Sequence, residues 1–152
     1  MRRLVSYRKV LKKPNIPQYA ATPCTLGEHI RKARIERGLL QREISALLKV
    51  SEDSVTGWEN GRSEPQVKHY PRILEFLRYY PFVHETESLA GKLRQIRFCR
   101  GLSVKQCARR LAVSEAAVQR WECDTVISNP AYRRLIHSEW TKLPPQFMQH
   151  PL

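Results

Sequence analysis

A chain of 152 residues with 41% hydrophobic content has the length of one domain or two small ones, and it carries no apolar run long enough to span a membrane. Its formal net charge of +13, with an isoelectric point near 10.1, points to a polyanionic partner, nucleic acid before membrane. Cys24, Cys99, Cys107 and Cys123 show neither a CxxC pair nor zinc spacing, which argues against a disulfide framework and leaves reduced, mostly buried small hydrophobes. With no secretory segment at the N-terminus, a cytoplasmic protein is expected.

Residues 1–23 hold Arg2, Arg3, Arg8, Lys9, Lys12 and Lys13 with no acidic residue, and three prolines interrupt any periodicity. They read as a flexible basic arm, with at most a transient helical turn around Val5–Leu11. Order begins at Thr25-Leu26-Gly27-Glu28, a capping-box pattern, followed by Leu26, Ile30 and Ala33 at helical spacing and a stop at Gly38. A second helix covers about Gln41–Leu48, with Ile44, Leu47 and Leu48 on one side. Lys49-Val50 is a tight turn, and Ser51 caps a third helix that carries Val55 and Trp58 inward and stops at Asn60-Gly61. Two short helices around a turn that buries Val50 constitute a helix-turn-helix pattern. After Glu64-Pro65 a fourth helical segment runs from about Gln66 to Arg78, kinked or split at Pro71.

A short acidic linker, His84–Glu87, precedes a second writing of the same pattern, and its shortness leaves little independent motion between the halves. Leu89, Arg94, Arg97 and Gly101-Leu102 answer Leu26, Arg31, Arg34 and Gly38-Leu39, while Val113-Ser114-Glu115, Val118 and Trp121-Glu122 answer Val50-Ser51-Glu52, Val55 and Trp58-Glu59. Thirteen of 35 aligned positions are identical between 26–60 and 89–123 without a gap, so this is an internal repeat. Asn129-Pro130 opens a last helix to about Trp140, and the end from Leu143 to Leu152 is expected to fray. The organisation expected is therefore all-α. A flexible arm (1–23) precedes two tandem modules of about five short helices each (24–83 and a degenerate 84–141), and a disordered tail (142–152) follows.

The stretch GLLQREISALLKVSEDSVTGWENGRSEP resembles the Cro/Xre-type helix-turn-helix of phage and bacterial transcriptional regulators, through Gly38, Gln41, Val50-Ser51 and Trp58-Glu59-Asn60-Gly61. The likeness covers 25–77 well and 88–140 less well, as in tandem versions whose second module is degenerate. The resemblance implies a third helix that enters the DNA major groove by its N-terminal end. Glu52, Asp53, Thr56 and Gly57 would face bases. Gln41 would touch phosphate and brace the reading helix, with Arg42, Asn60, Arg62 and Lys68 also near the backbone. In the second copy Glu115, Ala116, Gln119 and Arg120 would read bases and Lys105 would meet phosphate. Arg34 with Glu59, and Arg97 with Glu122, would be ion pairs tying the first helix of each module to its reading helix. The basic arm would follow the backbone or enter the minor groove.

The function expected is sequence-specific double-stranded DNA binding by a transcriptional regulator, a repressor by default, at the bacterial nucleoid. The rival reading is a protein-interaction module, such as an antitoxin or adaptor. It is favoured by acidic Glu52 and Asp53 at the first reading helix. An enzyme is not expected: His29, His69, His84, His137 and His150 are scattered, and no metal, phosphate-loop or nucleophile motif accompanies them. His29 reads as an exposed helix residue. No metal, cofactor or membrane partner is expected; a homodimer and a protein partner stay open beside DNA.

Overall fold

Thr25 starts the first helix, α1 (Leu26–Glu36), because its hydroxyl accepts the Glu28 N–H while the Glu28 carboxylate takes the N–H of Cys24 at 2.6 Å and of Thr25 at 3.2 Å. Those two backbone donors hold the Glu28 carboxyl below its ordinary pKa. In the computed structural model, which describes residues 22–82, 87–123 and 127–148, seven further α-helices follow and no strand occurs among the described residues. The basic arm up to residue 21, linker residues 84–86 and the last four residues lie outside them.

Helix α2 (Gln41–Leu48) begins at Leu40, which has no oxygen to cap with; the Glu43 carboxylate instead takes the Leu40 N–H at 2.7 Å. Lys49 turns the chain in the left-handed region (φ 55°), Val50 packs on the core, and Ser51 caps α3 (Glu52–Glu59) through the Ser54 N–H at 3.1 Å. The segment expected around Pro71 is split. Val67–His69 form a 3-10 turn and α4 (Tyr70–Leu77) restarts with Pro71 in its first turn, where a missing N–H breaks no hydrogen bond.

The second half repeats this order as α5 (Leu89–Arg100), α6 (Val104–Leu111), α7 (Glu115–Cys123) and α8 (Pro130–Thr141). Helices α1 to α3 start at Leu26, Gln41 and Glu52, and α5 to α7 at Leu89, Val104 and Glu115, 63 residues on in every case. Each half has its own core. Ile30, Ile44, Leu48, Val55, Trp58, Ile73 and Leu77 fill the first; Leu93, Ile96, Leu111, Val118, Ile127 and Ile136 fill the second. A third cluster, Leu74, Tyr80 and Phe147 with Phe82, Phe98 and Cys99 against it, lies between the halves.

Several details differ from the sequence-based expectations. Leu47 is 58% exposed. At about 100° per residue it falls to the side of the stripe formed by Ile44, Ser45 and Leu48, so it clears the core. The tail does not fray through Met148: Leu143 is buried, Pro145–Phe147 form a 3-10 turn, and Phe147 is buried against the other half. His29 is half-buried, its Nδ1 2.7 Å from the Tyr79 hydroxyl, and burial lowers its pKa. The cysteines are free, but Cys24 and Cys123 are exposed and Cys107 alone is buried. Burial pushes the half-buried Cys99 thiol up to about 12.

Candidate nucleic-acid interface

The third helix is held from behind by one buried carboxylate. Glu59, 4% exposed, accepts Arg34 Nε at 2.7 Å and Nη2 at 2.8 Å in a two-pronged contact, and Gln41 Nε2 at 2.9 Å. Arg34 Nη1 also donates to the Leu39 carbonyl at 3.1 Å. The Gln41 oxygen in turn lies 3.0 Å from the Thr56 hydroxyl. Three helices are thus referred to one point, α1 through Arg34, α2 through Gln41 and α3 through Glu59 itself. Paired guanidinium–carboxylate geometry gives direction as well as attraction, so the pitch of α3 is fixed where its outer face must be reproducible.

A close backbone approach reinforces this clasp. A Cβ on Gly27 would sit 1.9 Å from the Trp58 carbonyl oxygen, so α1 presses directly on the end of α3. Nothing in the apolar periodicity marks Gly27; a glycine in the first turn of a capped helix is the one signal that could have found it.

On the outer face, Glu52 and Asp53 are exposed, and Asp53 Oδ1 pairs with Arg62 Nη2 at 3.2 Å. An expected base reader and an expected backbone contact therefore satisfy each other. Thr56 is half-buried and shares its hydroxyl between Gln41 and the Glu52 carbonyl. Gly57 is buried, and a Cβ there would meet Ser63 Oγ at 2.9 Å. Its carbonyl receives the Arg62 and Ser63 N–H groups, so the missing side chain makes room for the returning 60–63 turn. Gln41 is half-buried and braces α3, donating one N–H to Glu59 and accepting from Thr56. Asn60, the C-cap of α3, is exposed, as are Arg42, Arg62 and Lys68.

The corresponding surface of the second half has the opposite character. Arg97 meets Glu122 through Nε at 2.6 Å and Nη2 at 3.0 Å, and its Nη1 reaches the Leu102 carbonyl at 3.4 Å, reproducing the Arg34 clasp. Val104 stands where Gln41 stands and cannot brace; Arg94 instead donates to the Glu122 backbone carbonyl at 2.6 Å. In front of this clasp Glu115, Ala116, Gln119 and Arg120 are all exposed on α7, with Lys105 exposed on α6. Arg109 on α6, within the basic run Lys105–Arg110, and Arg133 and Arg134 on α8 are exposed as well. Arg110 is tied to Glu139, which also receives Arg100 and Lys142. The six basic residues of the arm lie outside the described residues.

Among the described residues no cluster of His, Cys, Asp and Glu could hold a metal ion, and no helix is long and apolar enough to cross a membrane. No curated protein and no solved structure matches the chain. Residues 30–83, from the middle of α1 to beyond α4, match the family model described as Helix-turn-helix.

Proposed function

We propose that the chain is a sequence-specific regulator of transcription that binds double-stranded DNA with two reading helices, α3 and α7, in one polypeptide, and acts as a repressor by default. The match of residues 30–83 to a DNA-binding family carries this reading. The second head is supported by the repeated arginine–glutamate clasp behind exposed Gln119 and Arg120. A guanidinium on a groove-lying helix can take guanine O6 and N7 together, and an amide can take adenine N6 and N7. Glu52 can accept from a cytosine amino group, and Asp53 can do so through Oδ2 while Oδ1 pairs with Arg62. The arm, with Arg2, Arg3, Arg8, Lys9, Lys12 and Lys13, supplies charge that is indifferent to sequence.

Selection of random duplexes against the purified protein tests the proposal; recovery of no enriched sequence would refute it. In the recovered duplex, Arg120→Ala should relax preference at one base position, at a cost of about 1–3 kcal/mol, while deletion of residues 1–13 should weaken all sequences alike. Six phosphate contacts would give a log–log salt slope of about −5. A second reading, a module that binds another protein, is favoured by the acidic outer face of α3. A partner held by an apolar patch would bind with little dependence on salt, whereas duplex binding weakens steeply with it.

A further inference from the structure

The two halves are joined by more than the chain between them. Helix α4 packs on α5, and between them Tyr70 stacks on Phe82 with ring centres 5.3 Å apart. Tyr70 meets Phe98 edge-on at 5.0 Å, and Phe82 and Phe98 close the triangle at 4.9 Å. Tyr80 adds a further edge contact to Phe82 at 5.1 Å. The backbones come equally close: a Cβ on Gly101 would lie 2.9 Å from the Pro71 ring and 3.2 Å from the Val67 carbonyl oxygen. The C-terminal turn closes one end of this seam. Gln95, 1% exposed, donates to the Phe147 carbonyl and accepts from Trp140 Nε1 at 2.6 Å.

This seam reaches both reading helices. On one side the ring of Trp58, on α3, lies 5.7 Å from His69, the residue before Tyr70. On the other, the Arg97 guanidinium rests over Phe98 at 4.9 Å and holds Glu122, on α7. Packed side chains therefore run from α3 to α7, and close-packed interiors yield little to displacement.

We propose that the aromatic seam of Tyr70, Phe82 and Phe98, with Pro71 seated on Gly101, determines half-site spacing: it holds α3 and α7 as one rigid pair that accepts two half-sites at a single separation and helical phase. The inference rests on the two-head reading above. Each base pair inserted between half-sites turns the second about 35° around the duplex axis and moves it about 3.4 Å. A hinged pair follows such a change. A rigid pair cannot, and it cannot recover after a whole added turn either.

The test uses the full chain and the duplex recovered by selection, with one, two, five and ten base pairs inserted between the footprinted half-sites. Affinity should fall roughly tenfold or more at every insertion, without recovery at ten. The double variant Tyr70→Ala/Phe98→Ala should bind the original duplex more weakly and respond to the insertions within about threefold. Because that variant has a chance of not folding, nitrogen-15 relaxation of the free wild-type protein is the second measurement. One rotational correlation time for α1–α4 and α5–α8 supports the seam, and two distinct times overturn it. Wild-type binding that varies within about twofold across the series, or that returns at ten base pairs, also overturns it. A footprint of one half-site, insensitive to Arg120→Ala, overturns the two-head reading itself and the seam's role with it; a two-site footprint with free spacing overturns the seam alone.

Discussion

Replacing Glu59 by Gln changes one charge and almost no volume, and it should loosen the whole first module. The carboxylate side chain is 1% exposed and accepts two bonds from Arg34 and one from Gln41. The amide keeps one acceptor oxygen but turns an NH2 toward a group that is already a donor, whichever way it is flipped. Arg34, with its side chain 15% exposed, then keeps a charge that water can reach only in part. Breaking a buried pair from one side costs about 3–5 kcal/mol; the retained acceptor and the partial access to Arg34 place this case near 3 kcal/mol. For a chain of this size, that is a fall in melting temperature of roughly 6–12 °C. A thermal melt followed by circular dichroism reads it directly. Glu122→Gln, where the carboxylate side chain is 10% exposed and has no glutamine brace, should give a smaller fall. The double variant Arg34→Met/Glu59→Met should recover most of the loss, since neither charge is left alone. A Glu59→Gln protein that melts with the wild type, or a double variant less stable than the single one, would refute the clasp as the organiser of the module.

Three further outcomes follow from the same geometry. Asp53→Asn releases Arg62 and removes a negative charge from the outer face of α3, so duplex affinity at low salt should rise about two- to fivefold by fluorescence anisotropy; a loss of affinity would mean that Asp53 reads a base. Glu139, hydrogen-bonded by Lys142 and also by Arg100 and Arg110, has its carboxyl pKa lowered from 4.5 to about 2. Its contribution to stability is therefore present above about pH 4.5 and lost as pH falls toward 2, and Glu139→Gln should flatten that acid limb in denaturant titrations. An unchanged limb would contradict the network. Gly27→Ala drives a methyl group into the Trp58 carbonyl and should cost at least about 1–3 kcal/mol in a melt, although the repeat carries Ala90 at the same position; an unaffected melt would show that α1 does not press on α3 as closely as described.

The parts of this fold that were legible in the amino-acid sequence are those carried by neighbours in the chain. Thr25 with Glu28 and Ser51 before Glu52 announce helix starts because capping is a local hydrogen bond, and the gapless repeat announces a second set of helices. The pairing of Arg34 with Glu59 crosses 25 residues, but it recurs intact as Arg97 with Glu122, and that recurrence makes a long-range contact visible in one dimension. The outer faces were legible in part. Glu52, Gln119 and Arg120 are exposed, whereas Gly57 is buried and Asp53 is engaged by Arg62.

The sequence alone determined the helix order, the helix-turn-helix in the first half, the duplicated pattern and the excess of positive charge, because each depends on short spacing or on a sum. Only the tertiary structure decided which polar groups are spent inside the protein. Gln41 turns inward to Glu59, Gly57 lies under the 60–63 turn, and Phe147 leaves an apparently frayed tail to pack between the halves. Those outcomes depend on which surfaces meet after the helices have formed. The stretch Ser51–Gly61 carries no record of the aromatic seam that would hold it in register with its copy.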